Sequence, residues 1–195
     1  MSKEIGNRFI VLDSSEETAS KDRIPIILGP GLAFGSGDHE TTRSCLEELE
    51  TFHNLQDAKV LDLGCGTGIL SIAAARMGAH MVLALDPDPD AIKACINNIK
   101  LNRIEKIVRP LQGEIDAVRK ERFDLILANL YGDILLSLVK DIPPLSKPGG
   151  RLMFSGIQFE YTYEVKTRFS LAGCQLLKSR YLEEYTTLIF RKKPV

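Results

Sequence analysis

From about residue 58 onward the chain alternates short apolar runs with stretches of helical periodicity, and this rhythm limits the folds open to it. "KVLDLG" (residues 59–64) reads as a buried strand and "ILSIAAARMGA" as the helix behind it; "MVLALD" is the second strand. The helix that follows starts in "PDPDAIKACINNIKLN", where Pro89 suits a first turn and Ile92, Cys95, Ile96 and Ile99 fall on one face. "KIVRPLQ" is a weaker third strand and "FDLILANL" a strong fourth. The next helix is predicted to carry Ile134, Leu135, Leu138, Val139 and Ile142 as one stripe and to stop at Pro143-Pro144. "KPGGRLMFSG" reads as a turn and a fifth strand, and residues 158–171 as a helix. "QLLKSRYLEEYTTLIFRK" then holds two strands joined tightly around Glu183, a connection open only to antiparallel neighbours. Strand–helix units in series demand a mostly parallel sheet with helices on its faces. The expected fold class is therefore α/β: a seven-stranded, mostly parallel, doubly wound sheet whose last strand is antiparallel.

A length of 195 residues suits one domain with a substantial core, and no internal repeat or composition shift marks a second. The formal net charge of −1 argues against a strongly basic nucleic-acid binder. Lys100, Arg103 and Lys106 read as a solvated face, and no direct nucleic-acid binding is expected. Apolar runs fall short of the roughly 20 residues that span a bilayer, and "MSKEIGNRF" lacks the apolar segment of a signal peptide. The expectation is a cytoplasmic protein without membrane contact. Cys45, Cys65, Cys95 and Cys174 form no CxxC pair, which suits reduced thiols, and His39, His53 and His80 are too dispersed for a metal cluster.

Chemistry enters at "DLGCGTG", with glycines at 64, 66 and 68 between a strand and a helix. Such a turn lets backbone approach a ligand, and the helix N-terminus presents unpaired N–H groups. A dinucleotide fingerprint needs G-x-G-x-x-G, but the third position after Gly66 is Ile69, which disfavours a nicotinamide cofactor. Asp86 ends the second strand 22 residues after Gly64, where a carboxylate can accept hydrogen bonds from ribose hydroxyls or cap the next helix. Glu114 fits either an adenine pocket or an exposed loop. Asn129, at the end of the fourth strand, lies at the carboxyl edge where open α/β sheets bind ligands, although a strand-end Asn also serves to hold a turn.

Upstream, "PGLAFGSGDHETTRSC" is a glycine-rich loop running into a helix that has Cys45, Leu46 and Leu49 on one side. It can reach over a cofactor pocket, with Leu32 and Phe34 covering apolar surface and Thr41 or Thr42 offering a hydroxyl.

The strand pattern resembles the class I S-adenosylmethionine-dependent methyltransferase fold, and G-x-G-x-G is the turn such enzymes wrap around the amino-acid end of that cofactor. More specifically, "PGLAFGSGDHETT", "VLDLGCGTGILSIAAARMGA", "LDPDPDAI", "ANL" and "PGGRLMFSGI" resemble, in order, the segments of the PrmA family, bacterial methyltransferases of the ribosomal large-subunit stalk protein. The resemblance implies S-adenosyl-L-methionine as cofactor, contacted by Thr42, Gly64, Asp86 and Asn129, with Gly66 in the same turn. It also implies that "IGNRFIVLDSSEE" corresponds to the family's inter-domain linker, so residues 1–28 are expected to be linker-like and 29–195 to form the methyltransferase domain. Members normally begin with a small α/β domain that captures the ribosomal protein, for which this sequence has no counterpart. "ANLYGDIL" replaces the usual "ANIL", and Tyr185 stands where the family has a tryptophan.

The expected function is methyl transfer to amino groups, lysine or N-terminal, of a protein substrate such as a ribosomal protein. The alternatives are a methyltransferase for another protein, such as an electron-transfer flavoprotein subunit, or for a small molecule, and a cofactor-binding accessory protein without turnover. "NLYG" in place of an "NPPY" motif weighs against an adenine or glutamine-amide target. No residue is required as a general base; His39 is a candidate, and Tyr131 is placed to border the acceptor channel.

Overall fold

The computed structural model describes residues 2–13, 22–30, 35–52 and 55–194. Leu32, Phe34 and His53, singled out above, lie outside the described residues.

The first 28 residues, expected to be linker-like, carry three strands, β1 (Lys3–Ile5), β2 (Phe9–Asp13) and β3 (Ile24–Leu28), in a small separate sheet. β2 is its centre, antiparallel to β1 and parallel to β3. Pro25 is tolerated because β3 is an edge strand. The edge is then closed by side chains. Asn102 accepts from the Ile27 N–H at 3.0 Å and donates to the Ile27 carbonyl at 2.7 Å, while Asn98 accepts from the Gly29 N–H at 2.8 Å. Ile5, Phe9, Val11, Ile26 and Leu28 enter the same apolar cluster as the following helices.

Helix α1 (Glu40–Leu49) follows, capped by His39. Then come β4 (Lys59–Leu63), α2 (Ile69–Arg76), β5 (Met81–Asp86), α3 (Pro89–Leu101), β6 (Val108–Gln112) and β7 (Phe123–Asn129). The remainder is α4 (Gly132–Ser137), α5 (Ile142–Leu145), β8 (Ser146–Gln158), α6 (Phe159–Leu171), β9 (Cys174–Tyr181) and β10 (Tyr185–Lys192). The large sheet has seven strands in the order β6-β5-β4-β7-β8-β10-β9, and β10 is antiparallel to both its neighbours.

Alternation along the central strands sorts side chains onto two faces. Val60, Val82, Ala84, Leu125 and Leu127 face α1–α3 and the small sheet, whereas Leu61, Leu85, Ile126 and Ala128 face α4–α6. α2 is buried almost all round because it lies between the large sheet on one side and α1 and β3 on the other. Its run of alanines lets these layers approach closely.

Two expectations change in detail. The helix after β7 ends at Ser137, and Pro143 and Pro144 sit inside the short helix α5 instead of terminating a long one. Proline fits a first turn, where its missing N–H has no partner to lose, so the pair starts a helix as readily as it stops one. Ile134 is accordingly exposed while Leu135 is fully buried. The "KPGG" turn is a bulge inside β8: pairing passes from Phe123↔Ser146 to Leu125↔Arg151, so the extra residues loop out of the ladder.

Candidate active site

The parallel registers bring three distant residues into one row. Leu63 pairs with Leu85 on one side and Ala128 on the other, so the next residues, Gly64, Asp86 and Asn129, stand side by side at the carboxyl ends of β4, β5 and β7. They open onto a cleft of about 670 Å³ that is also lined by Gly66, Glu114, Thr41, His39, Tyr131 and Tyr185.

The turn after β4 is held by backbone. Gly64 and Cys65 both donate to the Leu85 carbonyl, at 2.8 and 3.1 Å. Gly64 has φ +72°, and a Cβ there would lie 2.5 Å from Leu130 Cδ2, so both conformation and packing exclude a side chain. Asp86, about 9% exposed, ties turn to strand. Its Oδ2 accepts from the Gly66 N–H at 2.9 Å and its Oδ1 from the Asp88 N–H at 3.0 Å. Capping of α3 falls to Asp88, which accepts from the Asp90 N–H at 2.9 Å. A carboxylate has about four lone-pair sites, so Asp86 keeps acceptor capacity toward the cleft.

Asp62, one strand residue before the turn and 1% exposed, accepts from Ser71 Oγ at 2.6 Å. Gly68 offers α2 no capping side chain, and Asp62 reaches its first turn from below. Burial pushes its carboxyl up to about 6 despite these bonds. Contact with Cys95 and burial raise the Cys65 thiol, and burial takes the Cys45 thiol up to about 12.

At the opposite wall Thr42 is buried behind Asn129, whose Nδ2 donates to Thr42 Oγ1 at 3.4 Å. Thr41, not Thr42, lines the cleft. Thr41 Oγ1 lies 2.7 Å from His39 Nδ1, which also accepts the Thr41 N–H. With Nδ1 accepting, a neutral imidazole carries its hydrogen on Nε2. His39 thus serves α1 as a cap while its ring meets Tyr185 edge-on at 5.2 Å. The Tyr185 hydroxyl is raised by desolvation and by the nearby Tyr131, Glu184 and Glu40. Beneath α1, Thr187 Oγ1 lies 2.8 Å from both Ser44 and Ser155 hydroxyls, pinning the helix to the sheet.

Glu114 lines the cleft and is exposed, so both of its readings describe one position. Residues not singled out in the sequence complete the walls. Pro87, Ala91, Ile115 and Leu138 form an apolar slot beside Asp86, and Gly156 lies where a Cβ would come 3.0 Å from Asn129 Oδ1. The glycine of "FSGI" was a visible signal; the apolar residues carry none apart from the fold. Among the described residues no group of three or more His, Cys, Asp or Glu is arranged to hold a metal, and no helix is long and apolar enough to cross a membrane.

This sheet order, turn and cleft define the class I S-adenosylmethionine-dependent methyltransferase fold. The family described as Ribosomal protein L11 methyltransferase (PrmA) matches residues 3–193, and the chain belongs to that family. A ribosomal protein L11 methyltransferase of Geobacillus thermodenitrificans is 38% identical over 187 residues, covering 95% of this chain and 60% of the relative. One from Geobacillus kaustophilus is also 38% identical, covering 96% and 61%. The chain thus spans about three fifths of the length of these curated relatives. The crystal structure of a ribosomal protein L11 methylase from Lactobacillus delbrueckii subsp. bulgaricus superposes with a TM-score of 0.89, at 28% identity and over 99% of both chains.

Proposed function

We propose that this chain is a methyltransferase that uses S-adenosyl-L-methionine to methylate amino groups, lysine or N-terminal, of a cytoplasmic protein. The ribosomal protein in the relatives' names is the first candidate acceptor. The observation that carries the reading is the row of Gly64, Asp86 and Asn129 in a cleft that Tyr131 and Tyr185 also line.

The residues present fit the cofactor. Asp86 has acceptor sites left for ribose hydroxyls, the slot of Pro87, Ala91, Ile115 and Leu138 suits a purine ring, and the Gly64–Gly66 turn leaves backbone against the space beyond. Asn129 contacts the ligand directly and Thr42 acts through it, by fixing the amide orientation. When bound, the cofactor supplies an electrophilic methyl group on sulfonium, so the protein's task is positioning and exclusion of water more than acid–base catalysis. Asn129 lines the cleft, and with its Nδ2 given to Thr42 its Oδ1 is left to accept a hydrogen bond from an incoming amine. A lysine amine, with a reference pKa near 10.4, must arrive neutral, and exclusion of water from the cleft favours the uncharged form.

Calorimetric titration with S-adenosyl-L-methionine and with NADH tests the cofactor assignment; binding of NADH alone would overturn it. Incubation with labelled S-adenosyl-L-methionine and a cell extract, followed by mass spectrometry, tests the acceptor. Label on amino groups of a protein is expected, and label confined to small molecules would overturn that part.

A further inference from the structure

Tyr131 and Tyr185, which line the cleft, adjoin the start of α6 and the β9–β10 ladder. Tyr185 pairs with Gln158 across the β10–β8 ladder, Gln158 Oε1 accepts from the Gly132 N–H at 3.2 Å, and Phe159 follows at the start of α6. The Phe159 ring lies 6.4 Å from that of Tyr181, and Lys166 covers the Tyr181 ring at 5.1 Å. Tyr131, Phe159 and Tyr181 are 54, 47 and 62% exposed, and Phe159 and Tyr181 meet ring to ring on the same side as Tyr131, which lies one residue before the Gly132 N–H that Gln158 accepts.

Carboxylates outnumber cations around this aromatic shelf: Lys166, which also donates to the Tyr181 hydroxyl at 2.8 Å, stands against three glutamates. Glu160, Glu183 and Glu184 are exposed, and none of them takes part in an ion pair among the described residues. The basic side chains of the adjoining strand are engaged elsewhere, Lys178 and Arg180 with Glu48 and Glu47. Glu40 accepts from the backbone N–H groups of Glu183 and Glu184, at 2.8 and 3.1 Å, and so holds the acidic turn beside the opening.

We infer that the shelf of Tyr131, Phe159 and Tyr181, flanked by Glu160, Glu183 and Glu184, is the docking surface for a basic, extended segment of the acceptor protein. Aromatic faces take apolar and cationic side chains, and unpaired carboxylates attract flanking lysines and arginines. This inference rests on the reading of the chain as a protein-amine methyltransferase and says where specificity beyond the reacting nitrogen resides.

The test uses the full chain and two fluorescein-labelled peptides, one lysine flanked by arginines and the same lysine flanked by glutamates. Anisotropy at low salt is expected to show the basic peptide binding at least about ten-fold tighter, with the difference shrinking at high salt. The variants Glu160→Lys/Glu183→Lys and Phe159→Ser should each weaken basic-peptide binding by about five-fold or more while calorimetric affinity for S-adenosyl-L-methionine stays unchanged. Equal binding of the two peptides, or unaltered binding by both variants with cofactor affinity intact, would overturn the docking surface. Selective binding of the basic peptide without methylation would leave the surface standing and instead remove the amine-acceptor reading.

Discussion

At the turn end of the cleft nearly every group is held by backbone: Asp86 by two N–H groups, Gly64 by the Leu85 carbonyl, and the row of three by strand register. At the proposed acceptor end Tyr131 and Tyr181 stand more than half exposed, and side chains from α4, α6 and the β9–β10 turn are brought together only by tertiary packing. The first construction tolerates almost no substitution without loss of shape. The second is made of exposed side chains, which can change while the sheet stays as it is.

The sharpest way to break the comparison is Gly64→Ala. The left-handed backbone costs about 1–3 kcal/mol for a residue with a Cβ, and the contact with Leu130 adds about 1–3 kcal/mol of overpacking. Thermal unfolding should register a loss of about 2–6 kcal/mol, and calorimetry should show no cofactor heat. Adding Leu130→Ala should relieve the contact but not the strain, so rescue is partial; full rescue would show that backbone conformation at residue 64 is unimportant.

Asp86→Ala comes next. It removes the acceptor for Gly66 and Asp88 and, on the proposed reading, the ribose contact, so cofactor affinity should weaken by about 1–3 kcal/mol. Unchanged affinity would take Asp86 out of the site. The third probe asks how the turn is supported from below. Burial raises the Asp62 carboxyl to about 6, above its unfolded value, so the folded state binds its proton more readily between about pH 4 and 6. This contribution to stability is fully present below the unfolded pKa and is lost as pH rises through the folded one. Asp62→Asn keeps an acceptor for Ser71 and should flatten that loss. The variant's stability relative to wild type should rise by about 1–3 kcal/mol between pH 4 and pH 7, measured by denaturant unfolding.

The same asymmetry explains what could be read without coordinates. The glycine turn, Asp86 and Asn129 are written where strands end, and strand ends are visible in hydrophobic patterning. Thr42 enters the sequence reading as a cofactor contact, whereas it lies buried behind Asn129 and Thr41 lines the cleft, an arrangement that depends on how α1 packs across β7 and β8. The strands β1–β3 escaped notice since each is five residues or fewer and β3 contains a proline. They are anchored by apolar residues in the shared core and, at the β3 edge, by Asn98 and Asn102, whose spacing in "INNIKLN" looks polar rather than structural. The proline pair at 143–144 was misassigned because the same residues can close one helix or open another. The shelf of Phe159 and Tyr181 left no motif at all: its members are 22 residues apart and meet only through the return of α6 onto β9.

The smallest expected effect is the most telling about the acceptor end. Tyr181→Ala removes an exposed ring whose hydroxyl accepts from Lys166 at 2.8 Å, a surface contact between a flexible amine and a solvated phenol. Such contacts contribute little to folding, so unfolding should shift by no more than about 0.5 kcal/mol, and cofactor affinity should not move. If the ring takes part in acceptor docking, the KM for a protein substrate should nevertheless rise several-fold with kcat nearly constant, the signature of binding shared equally by ground and transition states. A fall in kcat with unchanged KM would place Tyr181 in control of the reacting geometry instead, and would join the two ends of the cleft that the fold otherwise keeps apart.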